Sequence, residues 1–66
     1  MINLGLLRDR RRKRGLTVRE VSHAMGFSSA TGYHRIETGR AKVNVVQLKE
    51  LARIFNLTWE ELLGDA

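Results

Sequence analysis

Residues 17–39 read TVREVSHAMGFSSATGYHRIETG, and the rest of the chain is read outward from them. Thr17 opens a T-x-x-E pattern with Glu20. Its hydroxyl can accept from an N–H of a first helical turn while the carboxylate reaches back to the cap, which marks a helix start. Val21, Ala24 and Met25 then share a helical face, and Gly26 can turn left-handed after the last turn, so the spacing predicts a helix over 17–25. Phe27 reads as a buried pin. Ser28 and Ser29 offer adjacent N-caps for a second helix, expected from 29 to about 38, with Tyr33 and Ile36 facing inward and Gly39 as the stop. Two short helices around a tight glycine turn make a helix-turn-helix, which in DNA-binding cases lays its second helix in the major groove.

If Tyr33 and Ile36 point inward, the outward residues are Ala30, Thr31, His34, Arg35 and Thr38, small near the start and longer later. That profile suits a groove: Thr31 can hydrogen-bond a base or touch a thymine methyl, and Arg35 can make a bidentate contact to guanine. His34 reads either as an ordinary exposed polar residue or as a phosphate or base contact. Gly32, which costs about 1 kcal/mol relative to alanine inside a helix, serves either close packing on the preceding helix or close approach to DNA. Arg40, Ala41 and Lys42 form a basic loop beside this helix and can take phosphates, which position a protein without reading sequence.

Upstream, a first helix is expected over 2–14, with Leu4 and Leu7 on one face and Gly15 as its stop. Its end reads RDRRRKR. Cations there complement the helix dipole, so one reading is a solvated helix end; the other is that several of these arginines, Arg12 among them, face phosphates. A localisation or RNA-binding tract is a third reading of such a run, although here the run is embedded in a helix. Downstream, Asn44 with Gln47 caps a core-building helix whose apolar face is Val45, Leu48, Leu51, Ala52 and Phe55. Asn56 suits a left-handed stop, and Thr58 with Glu61 caps a short last helix over 59–63. Its Trp59, Leu62 and Leu63 read either as core closure or as dimer contacts.

Composition limits the alternatives. A chain of 66 residues makes a single domain over 1–66, and 42% hydrophobic content with 6% aromatic residues and no proline favours an all-α domain. Without cysteine there are no disulfides or thiolate metal sites, and neither His23 nor His34 has a partner at ligand spacing, so no metal and no cofactor are expected. No apolar run approaches the roughly 20 residues that span a membrane, and residues 1–7 are too short for a signal peptide core, so a cytoplasmic location is expected. Charge is polarised: residues 1–42 carry ten Lys and Arg against three acids, +7, and residues 43–66 carry two against four, −2. A basic half holding a helix-turn-helix pattern is the footprint of a nucleic-acid binder. An enzyme is not expected, because the hydroxyls and imidazoles of Ser22, His23, Ser28, Ser29 and His34 have no carboxylate orienter or pocket.

The segments GLTVREVSHAMG, HRIETGR and VVQLKELARIFNLTWEELLG together resemble the Cro and CI (XRE, lambda-repressor-like) helix-turn-helix family over about residues 4–64. The resemblance implies a five-helix, bacterial or phage-encoded regulator that binds palindromic operator DNA as a homodimer, with half-sites about 34 Å apart. It places base-reading positions on Ala30, Thr31 and Arg35, and backbone-contacting positions on Thr38, Arg40 and Lys42; Ser29, His34, Arg19 and Arg12 join the backbone set. Arg11 and Glu37 fall where many members carry an ion pair. Three departures stand out. Val18 replaces the usual glutamine that opens the second helix, with Arg19 beside it as the available donor. One extra residue lies between Gly26 and Tyr33, leaving two registers for Ser28–Thr31. Val43 stands at the usual proline. The absent glutamine and the apolar C-terminal residues also suit a second reading, a protein-interaction module of the antitoxin or anti-repressor kind.

Overall fold

Four of the five helices begin on a side-chain cap. The computed structural model describes residues 2–64; Met1, Asp65 and Ala66, the ends of the domain expected over 1–66, lie outside the described residues. In order the helices are α1 (Leu4–Lys13), α2 (Val18–Ala24), α3 (Ala30–Glu37), α4 (Val45–Phe55) and α5 (Trp59–Leu63). Thr17 with Glu20, Asn44 with Gln47 and Thr58 with Glu61 each form a reciprocal capping box, with bonds of 2.8–3.1 Å. A cap of this kind contributes about 1 kcal/mol to a helix.

The first helix starts at Leu4 rather than at residue 2, because Asn3 Oδ1 accepts from the Leu6 N–H at 3.0 Å and so serves as its N-cap. Asn56 ends α4 in the left-handed region at φ 54°. An asparagine tolerates that conformation because its short polar side chain can bond locally.

The core is one cluster of Leu7, Val21, Tyr33, Ile36, Leu51, Phe55, Leu57 and Leu62. Burying each of the larger side chains is worth roughly 1.5–3 kcal/mol. α2 packs on α3, α5 packs on α4, and α1 lies against both α3 and α4. The Asn3 N–H donates to the Leu62 carbonyl at 2.8 Å, fastening the start of the described chain to α5.

Two expectations for the C-terminal half are corrected. Leu62 is fully buried, so it closes the core and cannot be a dimer contact. Val45 is 66% exposed and leaves the apolar face it was expected to share with Leu48, Leu51 and Phe55. As the first residue of α4 it lies at the open end of that face, where it lines a surface groove of about 600 Å³ with Ile2, Leu4, Val43 and Leu63.

Candidate nucleic-acid interface

The turn between α2 and α3 is closed by its own backbone. The Gly26 N–H donates to the His23 carbonyl at 2.9 Å and the Phe27 N–H to the Ser22 carbonyl at 3.0 Å, with Gly26 at φ +93°. Glycine takes that conformation without the steric cost a Cβ would bring. The Phe27 ring is half-buried and lies over Gly32: a Cβ at that position would sit 2.3–2.7 Å from three ring carbons. Gly32 is therefore the seat of the Phe27 ring, a residue of the turn rather than of the preceding helix on which close packing was expected.

α3 starts differently from its neighbours. Ser29 holds the N-cap position, but its hydroxyl makes no capping bond, contrary to the expectation from the Ser28–Ser29 pair. In the other four helices the N-cap carbonyl accepts from the N–H four residues on, at 2.9–3.2 Å. In α3 both ends of the corresponding pair are engaged by Ser22, whose Oγ donates to the Ser29 carbonyl and accepts from the Tyr33 N–H at 3.1 Å. Ser22 is fully buried. In the sequence Ser22 stands out only as one of several hydroxyls with no carboxylate orienter or pocket. A signal was present, since Ser22 falls on the apolar stripe of Val18, Val21 and Met25 at i, i+3, i+4 and i+7, where a small polar residue needs a buried partner.

The inward face of α3 is Tyr33, Ile36 and Glu37, all buried. Arg11 Nε donates to Glu37 Oε1 at 3.0 Å, and Arg11 Nη1 donates to the Leu16 carbonyl at 3.0 Å. Burial pushes the Tyr33 phenol well above its ordinary range; the Glu37 carboxylate pushes it further, and Arg11 and Arg8 oppose. The phenol therefore stays neutral beside this ion pair. Thr31, His34, Arg35 and Thr38 form the exposed stripe on the opposite side. Ala30 lies at its edge, half-buried.

Beyond α3 the chain folds back on the helix end. The N–H groups of Arg40 and Ala41 both donate to the Arg35 carbonyl, at 2.8 and 3.1 Å. That brings Arg40 beside the α3 terminus, with the exposed Lys42 two residues further on. Thr38 sits at the C-cap position, one residue past the last helical one, and its hydroxyl donates to the His34 carbonyl at 2.8 Å. The oxygen can still accept, but its proton is taken. Arg12, Arg19, Arg35, Arg40 and Lys42 are exposed, and among the described residues none of them forms an ion pair. Arg12 and Arg19 lie on α1 and α2, and no hydrogen bond joins either to the α3 stripe.

The family model described as a helix-turn-helix domain matches residues 5–63. The chain belongs to the helix-turn-helix domain family. Comparison with curated proteins and with solved structures gave no match. A helix-turn-helix is a DNA-binding motif, and in this chain α2 and α3 are its two helices. No helix among the described residues is long and apolar enough to cross a membrane.

Proposed function

We propose that this chain is a sequence-specific, double-stranded-DNA-binding transcriptional regulator, a small repressor of the Cro/CI kind, with residues 29–38 in the major groove. The observation that carries this reading is the exposed stripe of Thr31, His34, Arg35 and Thr38 on a helix held from behind by Tyr33, Ile36 and the Arg11–Glu37 pair. Thr31 and Arg35, with Ala30 at the edge, read bases. Arg40 and Lys42, beside the helix end, take phosphates together with Ser29, His34, Thr38, Arg19 and Arg12. A salt-dependent titration against duplexes selected from a random pool tests it. Arg35→Ala should lose discrimination among sequences, whereas Arg40→Ala should weaken all duplexes alike and lower the salt slope by about 1. Equal affinity for every duplex, before and after Arg35→Ala, would overturn the reading.

A second copy of the chain is the partner we assign to the exposed apolar side chains of the last two helices, Val45 and Val46 at the start of α4 and Trp59 and Leu63 on α5. These side chains belong to residues 43–66, which carry −2 against +7 for residues 1–42, so a contact made through them adds the least like-charge repulsion between two net-positive chains. A standard interface takes about 800 Å² per partner, about a sixth of the 4534 Å² the chain exposes, and four side chains fall short of it. The pair is therefore weak in free solution and completed on a palindromic operator, where adjacent half-sites raise the effective concentration. Light scattering should give a monomer alone and two chains per selected duplex, and Trp59→Ala should lower cooperativity on that duplex. One chain per duplex would remove the second copy from these side chains, and a strict monomer with no DNA affinity at low salt would instead favour the interaction module.

A further inference from the structure

We infer that Ser22 is a positioning residue for base reading: its buried hydroxyl, inserted between the Ser29 carbonyl and the Tyr33 N–H, sets the path of the first turn of α3 and thereby where Ala30 and Thr31 meet DNA. The inference rests on the proposed DNA-reading role of α3, and three observations support it. Ser22 is fully buried, so no water competes for its hydroxyl. Both of its bonds go to α3 backbone groups that would otherwise close the first helical turn on each other, as happens in α1, α2, α4 and α5. Ser29 provides no cap, so the Ser22 hydroxyl is the side-chain anchor for this end of the helix. A hydroxyl between donor and acceptor holds them further apart than a direct N–H to carbonyl bond does.

Removing the hydroxyl leaves two outcomes for the backbone. Either the Tyr33 N–H and the Ser29 carbonyl close directly and the first turn tightens, or both stay unpaired in the interior, which is costly. In the first case the groups that shift are those at residues 29–32, while Arg35, one turn further on and behind the Arg11–Glu37 anchor, keeps its place. The extra residue between Gly26 and Tyr33 acquires a physical meaning: the longer turn is held by a side chain from the preceding helix rather than by its own cap.

The test compares Ser22→Ala and Ser22→Thr with the parent chain at a temperature where circular dichroism shows each fully folded. Ser22→Cys, which fills similar space with only a weak donor, substitutes for the alanine variant if that does not fold. We expect Ser22→Ala to lose about tenfold in the ratio of selected to random duplex affinity, the worth of one good base contact. Its random-duplex affinity should stay within about twofold, since phosphates supply that term. Base preference should relax at the positions facing Ala30 and Thr31 and persist at the one facing Arg35, and Ser22→Thr should restore the parent pattern. A role in stability alone would lower the melting temperature and leave that pattern unmoved, which would overturn the inference. In the free protein, amide exchange at Tyr33 should quicken or its resonance shift in Ser22→Ala, together with those of residues 30–32. An unchanged Tyr33 amide would also overturn the inference. If the parent chain itself discriminates no sequence, the DNA-reading role has failed, and the amide result alone then decides whether Ser22 sets the helix start.

Discussion

Arg11 and Glu37 hold α1 and α3 together through one nearly buried bond, Nε to Oε1 at 3.0 Å, with side chains only 14% and 5% exposed. Breaking such a pair by removing one partner leaves a buried charge and typically costs 3–5 kcal/mol. Glu37→Ala should therefore bring this small domain close to unfolding at room temperature. Arg11→Met with Glu37→Leu should cost less than the sum of the two single changes, since no lone charge is left. Thermal melts of the three variants make the comparison; strict additivity would show that the pair is not coupled.

Gly32→Ala should destabilise despite alanine's better helix propensity. The added methyl would meet the Phe27 ring at 2.3–2.7 Å, at ring carbons that cannot yield without moving the whole side chain. Overpacking of this kind costs roughly 1–3 kcal/mol, more than the about 1 kcal/mol that propensity returns. Shortening Phe27 to Leu in the same chain should recover part of the loss, and denaturant midpoints would report it.

Tyr33→Phe should be neutral or slightly stabilising. The phenolic oxygen is buried and has no hydrogen-bond partner among the described residues, so deleting it removes an unsatisfied group from the interior. The ring itself stays, with all of its burial. A loss above about 1 kcal/mol on chemical unfolding would mean that the hydroxyl is paired in solution.

Acid should loosen two helix starts before it affects the core. Glu20 and Glu61 both titrate below the ordinary glutamate value, chiefly because each accepts a backbone N–H in its capping box, from Thr17 and Thr58 respectively. With the folded value below the unfolded one, about 4.3, this contribution is complete above about pH 5 and is lost as pH falls through the lower folded value. Both groups are fully exposed, so the effect is modest. Glu20→Gln with Glu61→Gln should flatten the fall in melting temperature between about pH 5 and pH 3. An unchanged slope would place the acid sensitivity elsewhere.

What the sequence made legible is what residues a few positions apart decide for themselves. The Thr17–Glu20, Asn44–Gln47 and Thr58–Glu61 boxes, the left-handed Asn56 and the inward Tyr33 and Ile36 all follow from spacing within a turn or two, and the structure has them. The errors arise where another element decides. Leu62 and Trp59 look equally apolar on a five-residue helix, and only the position of the core buries one and leaves the other half exposed. Val45 has the right spacing for a core face, yet the face ends before it. Ser22 carries a stripe position and a hydroxyl, but what it bonds became clear only once α3 lay against it. Asn3 falls inside the helix expected over 2–14, and Leu6, three residues on, cannot complete a capping box that would mark it as the start.

The bond from the Asn3 N–H to the Leu62 carbonyl has a topological consequence. A Cβ on Gly64 would lie 3.6 Å from that of Asn3, so residues 3 and 64 are close neighbours in space. Residues 3 and 64 thus mark one corner of the molecule, and a short linker between them would close the described chain into a ring. Such a ring should fold to the same helices and, having less freedom to lose, resist heat better than the open chain.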